Sequence, residues 1–493
     1  LVLCLVACLA WGIADASAQL IPIKTAPVAT GSQFQVAPAE RYGMGNVTIA
    51  VDDPLGDVFV NPATAARLRG TQTFAAPSHY AVTGRDGSAS TASAGVVARR
   101  GSWFGGGSFA VQQMELVDPL RGVGGFGGPT IGLILPVPRA PDDLHETSAQ
   151  NTYVAGLVGR ALSDRWALAG AVRWADLDAM DGVDMLYPRH EGILQDGHRL
   201  DLRAGLVGRW GDATVQAVLV HDRVDMTHRV TDARFLWNED TRERTLDLQT
   251  TRNLDRTNTW GLHLEYVEPM GSNGWRVGAV LTGNRKNHPK IPNYEFMNVP
   301  RDPGTSWAYT MGLGAARQTD RFTLAADILF SPIFSDTWAE AETVVTRLDD
   351  SVIEPGERTV ENDFEFANTT FRLGGRFEDN GFSLRAGAEV HTVRYWLTQH
   401  DRVMQSTRDQ YEGWSEWNLT GGPGVTWGAV HVRYTFRWTL GTGRVSARPQ
   451  GRPEFSALSG GDIVVAPRGS LTTDETNVFT HQVSLIVSLD DAE

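Results

Sequence analysis

Residues 430–440 read Val430-His431-Val432-Arg433-Tyr434-Thr435-Phe436-Arg437-Trp438-Thr439-Leu440. The even-numbered positions are large and apolar; the odd-numbered ones are polar or cationic. Side chains alternate across a β-strand, so this segment has one oily face and one polar face. Residues 198–210 repeat the pattern, with Leu200, Leu202, Ala204, Leu206 and Trp210 set against Arg199, Asp201, Arg203 and Arg209. About sixteen such segments follow one another from residue 72 onward, each long enough to cross a bilayer at a tilt. Tight connections, among them Gly101-Ser102, Gly211-Asp212, Asn380-Gly381 and Gly428, take turns with long polar loops. Gly, Asn and Asp suit tight hairpins because they tolerate positive φ. The loops cover 117–149, 178–197, 229–257, 288–306, 336–365, 398–411 and 441–478. Strict alternation of short and long connections is the plan of an outer-membrane barrel, and a soluble sandwich has no such asymmetry. The reading is therefore all-β: a transmembrane antiparallel β-barrel of about 14–16 strands with both chain ends on the short-turn, periplasmic side.

Aromatic residues support the membrane placement. Trp103, Trp166, Trp210, Trp275, Phe322 and Phe382 all lie within a residue or two of short turns, where an interfacial belt belongs. An apolar run over residues 1–14 leads into Ala16-Ser17-Ala18, a small-residue cleavage pattern that assigns residues 1–18 to a signal peptide. Leu5-Val6-Ala7-Cys8 also matches a lipoprotein processing box, although the residues after Cys8 stay apolar. Cys4 and Cys8 are the two cysteines of the chain, so beyond the leader disulfides and thiolate metal sites are excluded. The formal charge of −14 argues against a nucleic-acid partner, and much of the acid lies in loops such as Asp349-Asp350.

A different kind of segment precedes the first strand. It contains Gly43 and Gly45, then Asp52 and Asp53, then Asn61-Pro62-Ala63. Glycines allow close backbone approach, Asn61 suits a helix cap, and Pro62 suits the first helical position. This order resembles the amino-terminal signature of the FadL-like outer-membrane transport proteins, and equally that of the related PorV-like barrels. The resemblance implies a hatch inside the lumen, carrying Gly43, Gly45, Asp52, Asp53, Asn61 and Pro62. It also implies about fourteen strands, where the rhythm of the chain suggests sixteen. The expected plan is a signal peptide (1–18), a lead and hatch (19–70) and a barrel (71–493) in the outer membrane of a Gram-negative-type bacterium.

Two further features bear on function. Arg199, Arg203, Arg372, Arg385, Arg433 and Arg437 fall on the polar face and so are expected to line the lumen. They make either a cationic path for anions or a ladder of ion pairs that stiffens the wall and supports a plug. The loop at 121–138 runs from Gly122 through Phe126 to Ile131, Leu133, Ile134 and Leu135, an apolar stretch where a polar loop belongs. It is the candidate capture site for a hydrophobic ligand, or else an inward-folded constriction. No G-x-S-x-G motif occurs, and His221 and His228 lack carboxylates at zinc-site spacing, so neither an enzyme nor a cofactor is expected. The expected function is passive uptake of hydrophobic small molecules such as long-chain fatty acids or hydrocarbons, with outer-membrane lipid as the surrounding partner. The alternatives are a PorV-like barrel that docks secretion-system proteins, or a general porin.

Overall fold

The computed structural model describes residues 33–34, 36–38, 40–83, 87–115, 148–180, 190–238, 243–287, 304–341, 344–445 and 473–489. The segment read as a signal peptide (1–18), Cys8 and the loop at 121–138, with Phe126, Ile131, Leu133, Ile134 and Leu135, lie outside the described residues. Among the described residues nineteen strands follow in chain order. They are β1 (Thr71–Ala75), β2 (Ser78–Val82), β3 (Ser88–Arg100), β4 (Trp103–Glu115), β5 (Ser148–Ala161) and β6 (Trp166–Leu177). Next come β7 (His190–Trp210), β8 (Ala213–Asn238), β9 (Glu243–Met270), β10 (Trp275–Asn287), β11 (Gly304–Gln318) and β12 (Phe322–Glu340). A small hairpin, β13 (Val345–Thr346) with β14 (Val352–Ile353), stands apart from the wall. The wall resumes with β15 (Arg358–Asp379), β16 (Phe382–Asp401), β17 (Ser406–Trp427), β18 (Val430–Val445) and β19 (Thr473–Leu489).

β1 and β2 are halves of a single wall strand. Both pair with β3 and with β19, and the register runs on unshifted from Ala75↔Leu485 to Ser78↔Gln482. The gap between them holds Pro77, which has no N–H to give the ladder. With the hairpin set aside, the wall is a closed antiparallel barrel of sixteen strands, sealed where the first strand meets the last. Closure leaves no free edge along the membrane-crossing part of the wall. Positive φ at Gly101, Gly211, Gly271, Asn380, Gly381 and Gly428 makes the short turns possible.

The outer surface carries the oily face. Val154, Val158, Val172, Leu313, Ile328 and Leu373 are all exposed in a band around the wall. Trp103, Trp210, Trp275, Phe322 and Phe382 form its lower margin beside the short turns, and Trp174, Trp260, Phe334, Trp396 and Tyr411 mark the upper one. Eight residues separate Trp166 from Trp174 and ten separate Trp260 from Met270, which is about 20–25 Å of height at a typical tilt. That matches the apolar band of a membrane barrel. Among the described residues no helix is long and apolar enough to cross a membrane; the strands make the crossing.

Several stretches that read as loop are strand. β7 begins at His190, the β8–β9 hairpin extends to Asn238 and Glu243, and β15, β16 and β17 reach Arg358, Asp401 and Ser406. Above the membrane both faces of a hairpin are wet or packed with polar groups. Apolar alternation therefore disappears while the backbone ladder continues.

Placing a charge in the band should cost far more than placing one on the hairpin. I328R is expected to lower barrel stability by about 2–4 kcal/mol in bilayers. L348R, on the exposed hairpin, should change it by less than about 0.5 kcal/mol. Urea unfolding in lipid vesicles measures both.

Candidate functional site

Residues 40–68 form a compact body inside the short-turn half of the barrel, built by local caps. Asn61 accepts a hydrogen bond from the Ala63 amide (3.1 Å) and starts a 3-10 helix over Pro62–Arg67. Its amide nitrogen donates outward to the Leu206 carbonyl (3.1 Å) and to Gln216 Oε1 (2.9 Å), so one residue both caps the helix and ties it to the wall. Asp53, only 2% exposed, gathers the amides of Glu40 (2.6 Å) and Gly56 (3.1 Å). Arg41 donates to the carbonyls of Thr48 and Val51 (3.2 Å each) and pairs with Asp57. Asp52 points the other way and meets Arg276 of β10 at 2.5 Å.

The wall receives this body on glycines. Gly45, at φ +64°, lies so close to β15 and β16 that a Cβ would overlap the Leu373 carbonyl and the Ala388 backbone. From the other side, a Cβ on Gly374 or Gly387 would strike the Met44–Gly45 backbone. Ile49 is fully buried against Gly278, Gly312 and Gly314. Gly43 is different: its nearest wall atoms would lie 3.6 Å from a Cβ, which is ordinary contact.

Charge holds what shape seats. Asp327 of β12 accepts the Thr48 amide (2.6 Å) and the Ile49 amide (3.2 Å). Glu40 pairs with Arg376 (2.6 Å) and Arg433 (3.3 Å). Arg372 binds Glu389 (2.6 Å) and reaches the Thr48 hydroxyl (3.3 Å). Arg437 donates to the Tyr42 hydroxyl (3.3 Å) and lies over its ring at 5.2 Å. Arg203 pairs with Asp201 and donates to the carbonyls of Val60 (2.9 Å) and Phe59 (3.3 Å). Arg199 pairs with Asp222 (2.7 Å) beneath the ring of Phe34. Arg385, 2% exposed, donates to the carbonyls of Pro423 and Tyr434 (3.2 Å each), where proline interrupts the β17–β18 ladder. These arginines clamp the internal body and mend the wall, and each has an acceptor at hand.

Two carboxyls of the body are perturbed. Burial alone would push Glu40 upward, but Arg433 and Arg376 hold it below the usual carboxylate range. Burial raises Asp57 to about 7 in spite of Arg41 beside it, and neighbouring Asp53 adds to the rise.

Beyond the body the chain climbs into the other half of the lumen. Gln482 donates to the Ala37 carbonyl (3.3 Å), Gln112 to the Gln33 carbonyl (2.9 Å), and Gln33 to the Ala179 carbonyl (2.9 Å). Phe34 packs edge-on against Tyr153. Here part of the inward face turns apolar: Met114, Tyr153, Met226, Phe364, Tyr395 and Leu397 belong to one buried cluster, among polar inward residues such as Gln112, Asn362 and Gln399. Sequence reading missed it. The signal was in Val393-Arg394-Tyr395-Trp396-Leu397, where the inward positions become apolar while Trp396 remains outside.

Three outcomes follow for a thiol placed by V47C, fully buried in the body, with Cys4 and Cys8 the other cysteines of the chain. G387A forces a backbone overlap worth about 1–3 kcal/mol, and D327N removes charge-assisted hydrogen bonds worth about 1.5–3 kcal/mol each. Either should speed modification of the thiol by about tenfold or more. An acid whose pKa is raised in the docked state binds its proton more tightly docked than free. Docking is therefore helped below the ordinary carboxylate range, and that help fades as pH rises through about 7. D57N should flatten the pH dependence of protection in that window.

Solved structures similar to the chain are outer-membrane barrels. A FadL homologue of Pseudomonas aeruginosa shares 12% identity over 91% of this chain and 97% of its own, with a TM-score of 0.43. The toluene transporter TbuX of Ralstonia pickettii shares 9% over 92% and 100%, with a TM-score of 0.39. The toluene transporter TodX of Pseudomonas putida shares 10% over 92% and 100%, with a TM-score of 0.38. No family model and no curated protein matches the sequence. In fold the chain is a sixteen-strand outer-membrane-type β-barrel with its own amino-terminal segment packed inside, and the solved barrels it resembles include FadL-like transporters.

Proposed function

We propose that this chain is a passive outer-membrane conduit for hydrophobic small molecules, long-chain fatty acids or hydrocarbons among them, with residues 40–68 as its hatch. One observation carries the reading. The inward face of the long-loop half carries a contiguous apolar and aromatic cluster, set beside polar inward residues such as Asn284, Lys286, Asn362 and Gln399, and it lies directly above a body packed in the short-turn half. A general porin keeps a polar, water-filled lumen; a lining of Met114, Met226, Phe364, Tyr395 and Leu397 suits an oily solute. Met and aromatic side chains adapt to ligands of differing shape.

In this reading the loop at 121–138 gathers the ligand from outside, and burial of its apolar surface in the upper lumen supplies the binding energy. Release toward the periplasm follows from movement of the hatch or from passage through the wall. No coupling to an energy source is needed when transfer runs down a gradient. The clamp of Asp327, Arg372, Arg376 and Arg433 keeps the resting barrel closed to ions.

Uptake of labelled oleate by cells lacking their own fatty-acid uptake barrel tests this. Expression should restore uptake, and deletion of 121–138 should abolish it. L397E, which buries a carboxylate in the apolar lining, should lower uptake about tenfold or more, and planar bilayers should show no steady current. A folded barrel that takes up neither oleate nor a hydrocarbon would sink the proposal and leave the docking role in its place.

A further inference from the structure

The outer surface above the upper aromatic margin is divided by charge. On β8, β9 and β10 the outward positions carry Arg223, Arg229, Arg252, Arg256 and Arg285. Asp225 pairs with Arg223 (2.6 Å) and Arg256 (3.4 Å), and Asp196 of β7 faces outward beside them, with Asp176 and Asp178 at the upper end of β6 next to it. Farther round the wall, beyond β11, the corresponding outward positions on β12 and β15 are Asp336, Glu340, Glu361, Asp363 and Glu365. On β8–β10 the outward arginines outnumber the acids among the described residues, whereas on β12 and β15 the acids outnumber the arginines.

Their arrangement has two levels. The lower lies at the membrane margin, where Trp260 stacks on His221 (4.1 Å) and faces Arg285 in register. Arg285 in turn lies over Trp307 at 5.4 Å. Arg223 and Arg256 follow directly above. The upper level is Arg229 directly opposite Arg252. Both are exposed, and neither has an ion pair or hydrogen bond among the described residues. Like charges directly opposed across two strands repel, and a bridging anion reverses the sign of that contact. The planar guanidinium fork matches the oxygens of a phosphate.

We infer that this face of β8–β10 binds a phosphorylated glycolipid of the outer leaflet. Its lipid-proximal phosphate would lie at Arg285, Arg223 and Arg256, and a phosphate of its sugar headgroup between Arg229 and Arg252. The geometry favours a membrane-anchored ligand over free phosphate. The lower level is set into the aromatic margin, where acyl chains along the apolar band hold the headgroup in place. The inference does not depend on what passes through the lumen.

The test uses the full chain purified in detergent, with native mass spectrometry reading retention of a rough lipopolysaccharide whose core sugars are phosphorylated. R229Q/R252Q is expected to lower retention roughly tenfold or more, as loss of charge-assisted hydrogen bonds does. R358Q/R402Q, whose arginines bind Glu361 on the acidic face, should leave retention unchanged. The same lipid stripped of phosphate should not be retained by the unsubstituted protein, an arm that needs no variant. Inorganic phosphate at equal phosphorus concentration should not displace the lipid. Equal retention by R229Q/R252Q overturns the inference. So does equal retention of the stripped lipid, an equal loss in the acidic-face variant, or displacement by inorganic phosphate.

Discussion

In hydrocarbon a backbone N–H has no solvent to fall back on, and every one along the wall must find a carbonyl on a neighbouring strand. The meeting of β1 and β2 with β19 is what satisfies that demand. The prolines show its force by exception. Pro77 splits the first strand, yet the Val483 amide donates to the Pro77 carbonyl across the seam, and on the other side the Ala76 amide donates to the Ser93 carbonyl of β3. At Pro423 the ladder opens again, and the side chain of Arg385 supplies donors to the carbonyls left over. A buried guanidinium there substitutes for missing backbone.

The interior obeys a second rule, that charge removed from water needs a partner. Glu40, Asp53, Asp57 and Asp327 inside, with Arg41, Arg372, Arg376 and Arg433 around them, are matched by short contacts. Removing one member strands the other, which makes the arrangement exacting even where its net stabilisation is small. Shape adds selectivity. Glycines on the wall admit the Met44–Gly45 backbone and Ile49 at distances any larger residue forbids. Because the segment is positioned by both means, a change on either side registers in the other.

Much of this was legible in the chain itself. Alternation at Val430–Leu440, short turns rich in Gly and Asn, and aromatics beside them identify a membrane barrel, since period two and interfacial preference are local properties. The cap at Asn61 and the close approach at Gly45 are local too. Partners were not legible. Nothing near Thr48 says that Asp327 will accept its amide, and Glu40 gives no sign of Arg376, hundreds of residues away. Alternation assigns Arg203 or Arg372 a face but not a neighbour. The upper hairpins escaped notice for a related reason: once both faces leave the lipid, the pattern that announces a strand is gone.

The order of the chain places a condition on assembly. Residues 40–68 are made before any wall strand, yet their contacts are spread over β3 to β8, β10 to β12 and β15 to β18. Sequence separations of this size make closure slow relative to local hairpin formation. Until β15 to β18 arrive the Met44–Gly45 backbone has no seat and Glu40 lacks Arg376 and Arg433. Docking is therefore available only to a wall that is complete and in register. A slip of one residue in any of those strands would turn Asp327 or Gly387 to the lipid side. The segment that is synthesised first thus becomes the proofreader of everything that follows it.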